Sequence, residues 1–579
     1  MMASLTLPAG RDDPVTSGPL LWNGRMGRFG PRPGQWRTNA RFPHLLHGAP
    51  GLILRSLIPS FLGQSAREAL SAALMSLLRS SLLVGLGTVA SRVLGFARDI
   101  LFAQVLGAGP VADAFLAAFR LPNLVRRVVA EGGLNPALVP VLGRLEPAEA
   151  ARVAGDVTTI LALLLLGLVA LVEVAAGPIA LLLAPGLGTE ETLGLVALYT
   201  RLAFPAVFGV TLASVGAAFL NMHRRYGVAT LAPLVVNGGL ILTLLGLGRL
   251  SLAPEREAAW LALASSAAGL LQLAIIAAAL LRGPDRPVRL RRPTLSPALK
   301  TLLRAGLPAL FASGAVQLFV LAGTQIASFW PSGVSWLYYA ERVMQLPLGL
   351  IAALAGSVLL PELAARHRHA GVEALVAAQN RALALALLLA LPAAAALAIL
   401  AEPIAAVLFR RGAFAAEDVN GTALVLAGLS AGLPFATLGK VLSQTLFARG
   451  ALRGTLFAAL AGLAATAGAG AALGFLLGMG GIALGISLGC LVHAGALIVL
   501  LRRAGLWRLG RDFAGQVLRI ALATGAMSLG LGGGLAFLPQ PGALGLAALC
   551  GGGLAAYAAA AWLFGAVTPE DLALATKKP

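Results

Sequence analysis

The stretch "SRVLGFARDILFAQVLGAGPVADAFLAAFRLPNLVRRVVAEGGLNPALVPVL", Ser91 to Leu142, reads as two apolar helices joined at the turn "GAGP". Each is long enough to cross a hydrocarbon layer, which takes about 20 helical residues. Yet the stretch carries Arg92, Arg98, Asp99, Asp113, Arg120, Arg126, Arg127 and Glu131. A basic residue at the centre of a bilayer costs roughly 2.5–3.5 kcal/mol on insertion scales, so these charges must face water, one another or a ligand. At helical spacing Asp113, Arg120, Arg127 and Glu131 fall on one stripe, with Arg126 about a hundred degrees round. On the preceding helix Arg92 and Asp99 share a face while Arg98 points elsewhere.

The rest of the chain fits that setting. Of 579 residues, 58% are hydrophobic and only 12% charged, with a mean hydropathy of +0.85, too apolar for a soluble protein of this size and indicative of an all-α polytopic membrane protein. Apolar runs of spanning length recur at 81–107, 111–142, 153–177, 193–220, 228–248, 258–281, 303–329, 334–361, 383–400, 423–448, 455–478, 482–501, 513–537 and 544–564, fourteen expected helices. The net charge of +20 comes from basic clusters between these runs, which suits cytoplasmic loops and not a nucleic-acid surface. Cys490 and Cys550 each lie in an apolar run, and the six histidines form no metal-binding spacing, so neither a disulfide framework, a metal site nor a cofactor is expected.

Residues 1–74, rich in Gly, Pro and Arg, lack a sustained apolar period and are expected to be a disordered extension; Met75 is the natural start of the first helix. Two six-helix halves, 75–281 and 303–501, follow, joined by the basic linker 282–302, with two further helices and a short tail in 502–579. "AFRLPNLVRRVVAEGGLNPALVPVL" aligns without gaps on "YAERVMQLPLGLIAALAGSVLLPEL", pairing Arg120 with Glu341 and Pro140 with Pro361, as repeated halves around a midplane site would. Arg224 and Arg225, Arg282 to Arg292, Arg366 and Arg368, Arg449 and Arg453, and Arg502 to Arg508 lie at even-numbered exits, which places both termini in the cytoplasm.

Spans one, two and eight together hold six arginines (92, 98, 120, 126, 127, 342) against four carboxylates (Asp99, Asp113, Glu131, Glu341), and Lys440 lies on span ten. Arg120 and Arg127 are expected to pair with Asp113 and Glu131. The surplus of guanidinium groups suits a multiply charged anion, phosphate above all, because the planar fork binds it bidentately. Pro122, Gly132, Gly133, Pro136, Pro140 and Pro347 are expected to interrupt the same helices.

"SRVLGFARD", "ADAFLAAFRLPNLVRR" and "AEGGLNPALVPVL", with "APLVVN" (232–237), "VSWLYYAERVMQLPLG" (334–349), "LFRRGAF" (408–414) and "GKVLSQTLFARG" (439–450), resemble the MurJ (MviN) family of lipid II flippases, in the multidrug/oligosaccharidyl-lipid/polysaccharide exporter superfamily. The resemblance runs from Met75 to the carboxyl end. It implies a transporter in the bacterial cytoplasmic membrane that moves the undecaprenyl-diphosphate-linked peptidoglycan precursor from the inner to the outer leaflet by alternating access. It also implies diphosphate contacts at Arg92, Arg98, Arg126 and Arg342, acidic or gate roles for Asp99, Asp113 and Glu131, a polyprenyl groove on the last two helices, and membrane lipids and transient cell-wall synthesis proteins as partners. The chain departs from the family at Gly-Leu-Asn-Pro in "AEGGLNPAL", and its seventh and eleventh spans contain no Asp or Glu, which argues against an acidic sodium site there.

Other readings remain open on the residues alone. Another lipid-linked oligosaccharide flippase would share these features, whereas an exporter of cationic drugs would need an acidic cavity. A polyprenyl-diphosphate enzyme would need a general acid/base or a metal-binding cluster, and no such constellation is found. A non-transporting cell-wall scaffold would tolerate neutralisation of the arginines.

Overall fold

A computed structural model describes residues 64–128, 142–250, 252–282, 315–354, 372–448 and 451–567, with side chains from residue 82 onward. The chain divides into two units, Met1–Leu74 and Met75–Pro579. In the first, residues 64–74 are helical, against the expected irregular extension, because "QSAREALSAAL" is rich in strong helix formers. Residues 1–63 lie outside the described residues.

The first group of helices comprises α1 (Gln64–Leu106), α2 (Pro110–Arg126), α3 (Pro147–Val174), α4 (Ala176–Leu183), α5 (Glu190–Ala203), α6 (Ala206–Met222), α7 (Tyr226–Leu247) and α8 (Pro254–Leu281). The second comprises α9 (Ala315–Ala327), α10 (Gly333–Leu354), α11 (Val372–Ile399), α12 (Ala401–Phe409), α13 (Ala416–Ser430), α14 (Leu433–Ala448) and α15 (Leu452–Arg503). Two last helices, α16 (Arg511–Phe537) and α17 (Ala543–Leu563), pack on each other and against α11. Among the described residues there is no strand.

Within the first group α8 packs along α6 and α7, and α2 along α5; within the second α15 packs along α9, α13 and α14. The groups meet where α2 touches α9 and α10 and where α4 touches α9. Helix α2 is therefore central: Ala112 to Phe119 are buried without a break. Its charges point into protein and not into lipid. By contrast Leu163, Leu164 and Leu166 of α3, Leu242 of α7 and Leu544 and Trp562 of α17 are exposed, as lipid-facing residues would be.

Among the described residues eight helices qualify as membrane spans by length and hydropathy alone, or nine with α13 and α14 taken as one span bent by 43°. Each of the fourteen runs read from the sequence falls at least partly on helix. The shortfall has physical causes. Charges interrupt α1, α2 and α10, the seventh run lies partly outside the described residues, and α15 covers two runs in one continuous stretch.

Helix α15 turns back on itself at Gly478, whose φ of 60° is left-handed and suits only a residue without a β-carbon. Its two arms then run so close that a β-carbon on Gly485 would collide with Gly470, and one on Gly489 with Thr466. Small residues let helices approach in this way where lipid supplies no hydrophobic drive between them.

The expected interruptions at Pro122 and Pro347 do not occur, because α2 and α10 continue through both. Neighbouring turns and packing hold a membrane helix together across a proline. Gly132, Gly133, Pro136, Pro140 and Pro361 lie outside the described residues.

Candidate functional site

The two groups of helices are joined at two levels. At one end, the GAGP turn opens α2 with Pro110 at its first position, where a missing N–H costs nothing. This puts Asp113, 1% exposed, at the start of α10, where one carboxylate oxygen accepts from the Ser335 backbone N–H (2.8 Å) and hydroxyl (2.5 Å). Free N–H groups and the dipole at that helix start both favour a carboxylate. Asp113 was expected to neutralise an arginine on its own stripe. It instead ties the two groups together, since the start of α10 offers donors that the stripe does not.

Around it Tyr339 donates to the Gly107 carbonyl at 3.0 Å, the Ala413 N–H to the Gln104 carbonyl at 2.9 Å, and the Trp336 indole to Asp418 at 3.1 Å. Tyr339, Phe409 and Phe414 fill the remaining space, with ring centres 5.2–5.8 Å apart. The Gly186 N–H donates to Ser328 at 2.9 Å, adding the link between α4 and α9.

Further along α2 and α10 lies the charged level. Asp99 accepts from Arg98 (Nη2, 2.7 Å) and Tyr338 (3.1 Å), while Nε of Arg342 stands 3.4 Å from its other oxygen. The helical wheel turned Arg98 away from Asp99, but a long side chain folds back onto its neighbour and still donates to Asn237 of α7 at 3.0 Å. Its guanidinium lies 5.4 Å from the Phe102 ring centre, and that of Arg342 lies 4.5 Å over Tyr338, both within cation–π range.

The second carboxylate is Glu341, 6% exposed. It holds Arg120 of α2 at 2.8 Å and stands 3.9 Å from Arg127. Arg120 thus pairs across the two groups and not along its own stripe. Arg127 also donates to Gln317 of α9 (2.8 Å) and Gln345 of α10 (2.9 Å). Gln345 is the junction, because its oxygen also accepts from Arg342 (3.2 Å) while its nitrogen donates to Glu341 (2.6 Å).

Four guanidinium groups therefore share two carboxylates among the described residues. Among the described residues Arg120 Nε and Nη2 are buried without a hydrogen-bond partner. These groups border a pocket of about 380 Å³, counting the space at its mouth, lined by Arg120, Asn123 and Arg127 of α2, Gln317 of α9, and Tyr338, Glu341 and Arg342 of α10.

Of the four arginines read from the sequence as anion contacts, Arg342 lines this pocket. Arg98 stands beside it through Asp99. Arg92 is exposed on α1 with its guanidinium against Gly349 of α10, and Arg126, partly buried, ends α2. Lys440 is on an exposed face of α14, and Glu131 lies outside the described residues. The sequence reading missed Tyr338, Asn237, Gln317 and Gln345. Neutral polar residues inside apolar helices were their only signal.

Comparison with known proteins bears on the family and the fold. The family model described as "Lipid II flippase MurJ" matches residues 102–549. A "Probable lipid II flippase MurJ" of Rhizobium meliloti (strain 1021) is 38% identical over 384 residues, covering 65% of this chain and 71% of that protein. One of the same name from Rhizobium tropici is 33% identical over 511 residues, covering 85% and 95%. Among solved structures, "Lipid II flippase MurJ, inward closed conformation" superposes with a TM-score of 0.68 at 22% identity, over 83% of this chain and 98% of that one, and shares its fold. The matched region runs from α1 to α17 and takes in Asp113, Arg120, Glu341 and Arg342, and the chain belongs to the MurJ family of lipid II flippases.

Proposed function

We infer that the protein carries lipid II across the cytoplasmic membrane, with the cationic pocket between its two groups of helices receiving the diphosphate. The observation that supports this reading is the pocket between the groups, where among the described residues four guanidinium groups stand on two carboxylates and Arg120 keeps buried N–H donors without a partner. A diphosphate cannot cross hydrocarbon alone, and a polar cavity lined by planar cations shields it while the lipid tail stays outside.

Even with the open space at its mouth counted, the pocket's some 380 Å³ is too little for a disaccharide-peptide head group. The whole head group enters only if the two groups of helices part. Alternating access follows, with the level of Asp113 and Ser335 as the closed gate.

In this reading both termini lie in the cytoplasm and the gate faces outward, which the basic exits support. Arg92, Arg98, Arg126 and Arg342 form the diphosphate clamp in this reading, Arg92 and Arg126 from positions flanking the pocket. Transport of the substrate requires no covalent chemistry. Transient contacts with cell-wall synthesis proteins would bring substrate and remove product.

Complementation of flippase-depleted bacteria tests the function. Each of the four Arg→Ala variants is expected to reach the membrane at normal level and to fail to support growth. Normal growth of all four at low expression would refute the clamp. Cysteine labelling of the 282–302 linker from outside intact cells tests the orientation, and ready labelling there would invert it.

A further inference from the structure

We propose that Glu341 is a built-in competitor for the anion, occupying the guanidinium groups of Arg120 and Arg127 when the pocket is empty and yielding them to the diphosphate. The proposal rests on the anion-site reading above and adds to it the residue that sets how tightly the site holds.

Glu341 lies on α10, one helical position before Arg342, and projects into the same pocket. Its partners come from the opposite group of helices: Arg120 at 2.8 Å and Arg127 at 3.9 Å, both on α2. The pairing is incomplete on the arginine side. Arg120 spends one terminal nitrogen on Glu341, while its Nε and Nη2, buried, find no acceptor among the described residues. A guanidinium presents five donors in a fixed fork, and a single carboxylate oxygen satisfies one of them. A diphosphate offers more acceptors and more charge, so it can fill the fork that Glu341 leaves open.

The surroundings suit an exchange. Gln345 donates to Glu341 at 2.6 Å and accepts from Arg127 and Arg342, so a neutral amide holds the carboxylate and two cations in register without cancelling charge. When an anion takes the guanidinium groups, the carboxylate keeps its Gln345 partner. A carrier needs such a counterweight, because a site with several unopposed arginines would bind its substrate too tightly to let it go; conduction likewise requires sites that are favourable to enter yet weak enough to leave. The same pair bridges the two groups of helices, so the incoming anion also loosens a link between them.

The test uses the full-length protein in detergent with inorganic diphosphate as probe, measured by calorimetry, together with flipping of lipid II in vesicles. Glu341→Gln keeps the shape and the Gln345 contact but removes the charge. It is expected to bind diphosphate about tenfold more tightly than the wild type and to flip lipid II more slowly. Arg120→Gln is expected to weaken diphosphate binding about tenfold, and the double variant to fall between the two. If Glu341→Gln accumulates poorly, Glu341→Asp, whose shorter arm holds Arg120 less well, is expected to tighten binding in the same direction. Diphosphate binding by wild type that is unchanged or weakened in both Glu341 variants overturns the proposal and leaves the anion site standing. No diphosphate binding by wild type or any variant overturns the anion site, and this proposal with it.

Discussion

The level around Asp113 and the level around Glu341 join the same pair of helices, α2 and α10, yet they are built on opposite terms. At the first, the Asp113 carboxylate oxygen meets two donors of Ser335, the indole of Trp336 reaches Asp418, and aromatic rings fill the gaps. At the second, cations outnumber anions among the described residues and Arg120 keeps buried donors in reserve. A buried polar group with its partners rigidifies a contact, while one without them costs free energy until something arrives. The first level is built to hold and the second to receive.

That contrast can be broken most directly at Gly107. Its φ of 63° is left-handed, and a β-carbon there would press on the Ala413 carbonyl. Gly107→Val is expected to cost about 4 kcal/mol from backbone strain and crowding together, seen as a large drop in thermal midpoint and in membrane level. Asp113→Ala should cost about 2–3 kcal/mol by stranding the two Ser335 donors. Its binding of inorganic diphosphate should stay at the wild-type value; a stable Asp113→Ala protein that no longer binds diphosphate would erase the distinction between the levels.

In the cavity the pattern should reverse. Arg342→Lys keeps the charge but loses the planar fork and its stacking on Tyr338, so transport should fall roughly tenfold with the thermal midpoint unchanged. Trp336→Phe should give the smallest effect, about 1 kcal/mol for the lost indole hydrogen bond to Asp418, measured by the same thermal shift and without change in transport.

The sequence made the fold legible because apolar runs mark membrane helices without reference to tertiary contacts. Even the hairpin inside α15 showed as the break between the runs 455–478 and 482–501, at Gly478. Its cations were legible for the same reason: an arginine such as Arg120 or Arg342 stands out in an apolar helix. Their partners were not. Helical spacing orders residues along one helix, whereas Asp113, Arg120 and Arg127 find their partners on α9 and α10, some two hundred residues away in the chain. The aligned repeat made Arg120 and Glu341 equivalent positions, but equivalence in a repeat is not contact, and their ion pair shows only in the fold. Gln345, which joins Arg127 and Arg342 to Glu341, carries no charge and left no mark that spacing could read.

The place of Arg92 has a consequence for how such proteins change over evolutionary time. Its guanidinium lies where a β-carbon at position 349 would be, so Gly349 is the vacancy that lets the arginine of α1 rest against α10. Any side chain at 349 evicts the arginine, and a shorter residue at 92 releases the glycine. The two positions touch in the fold although they stand 257 residues apart in the chain. Among homologues, a larger residue at 349 should accompany a lost or redirected arginine at 92.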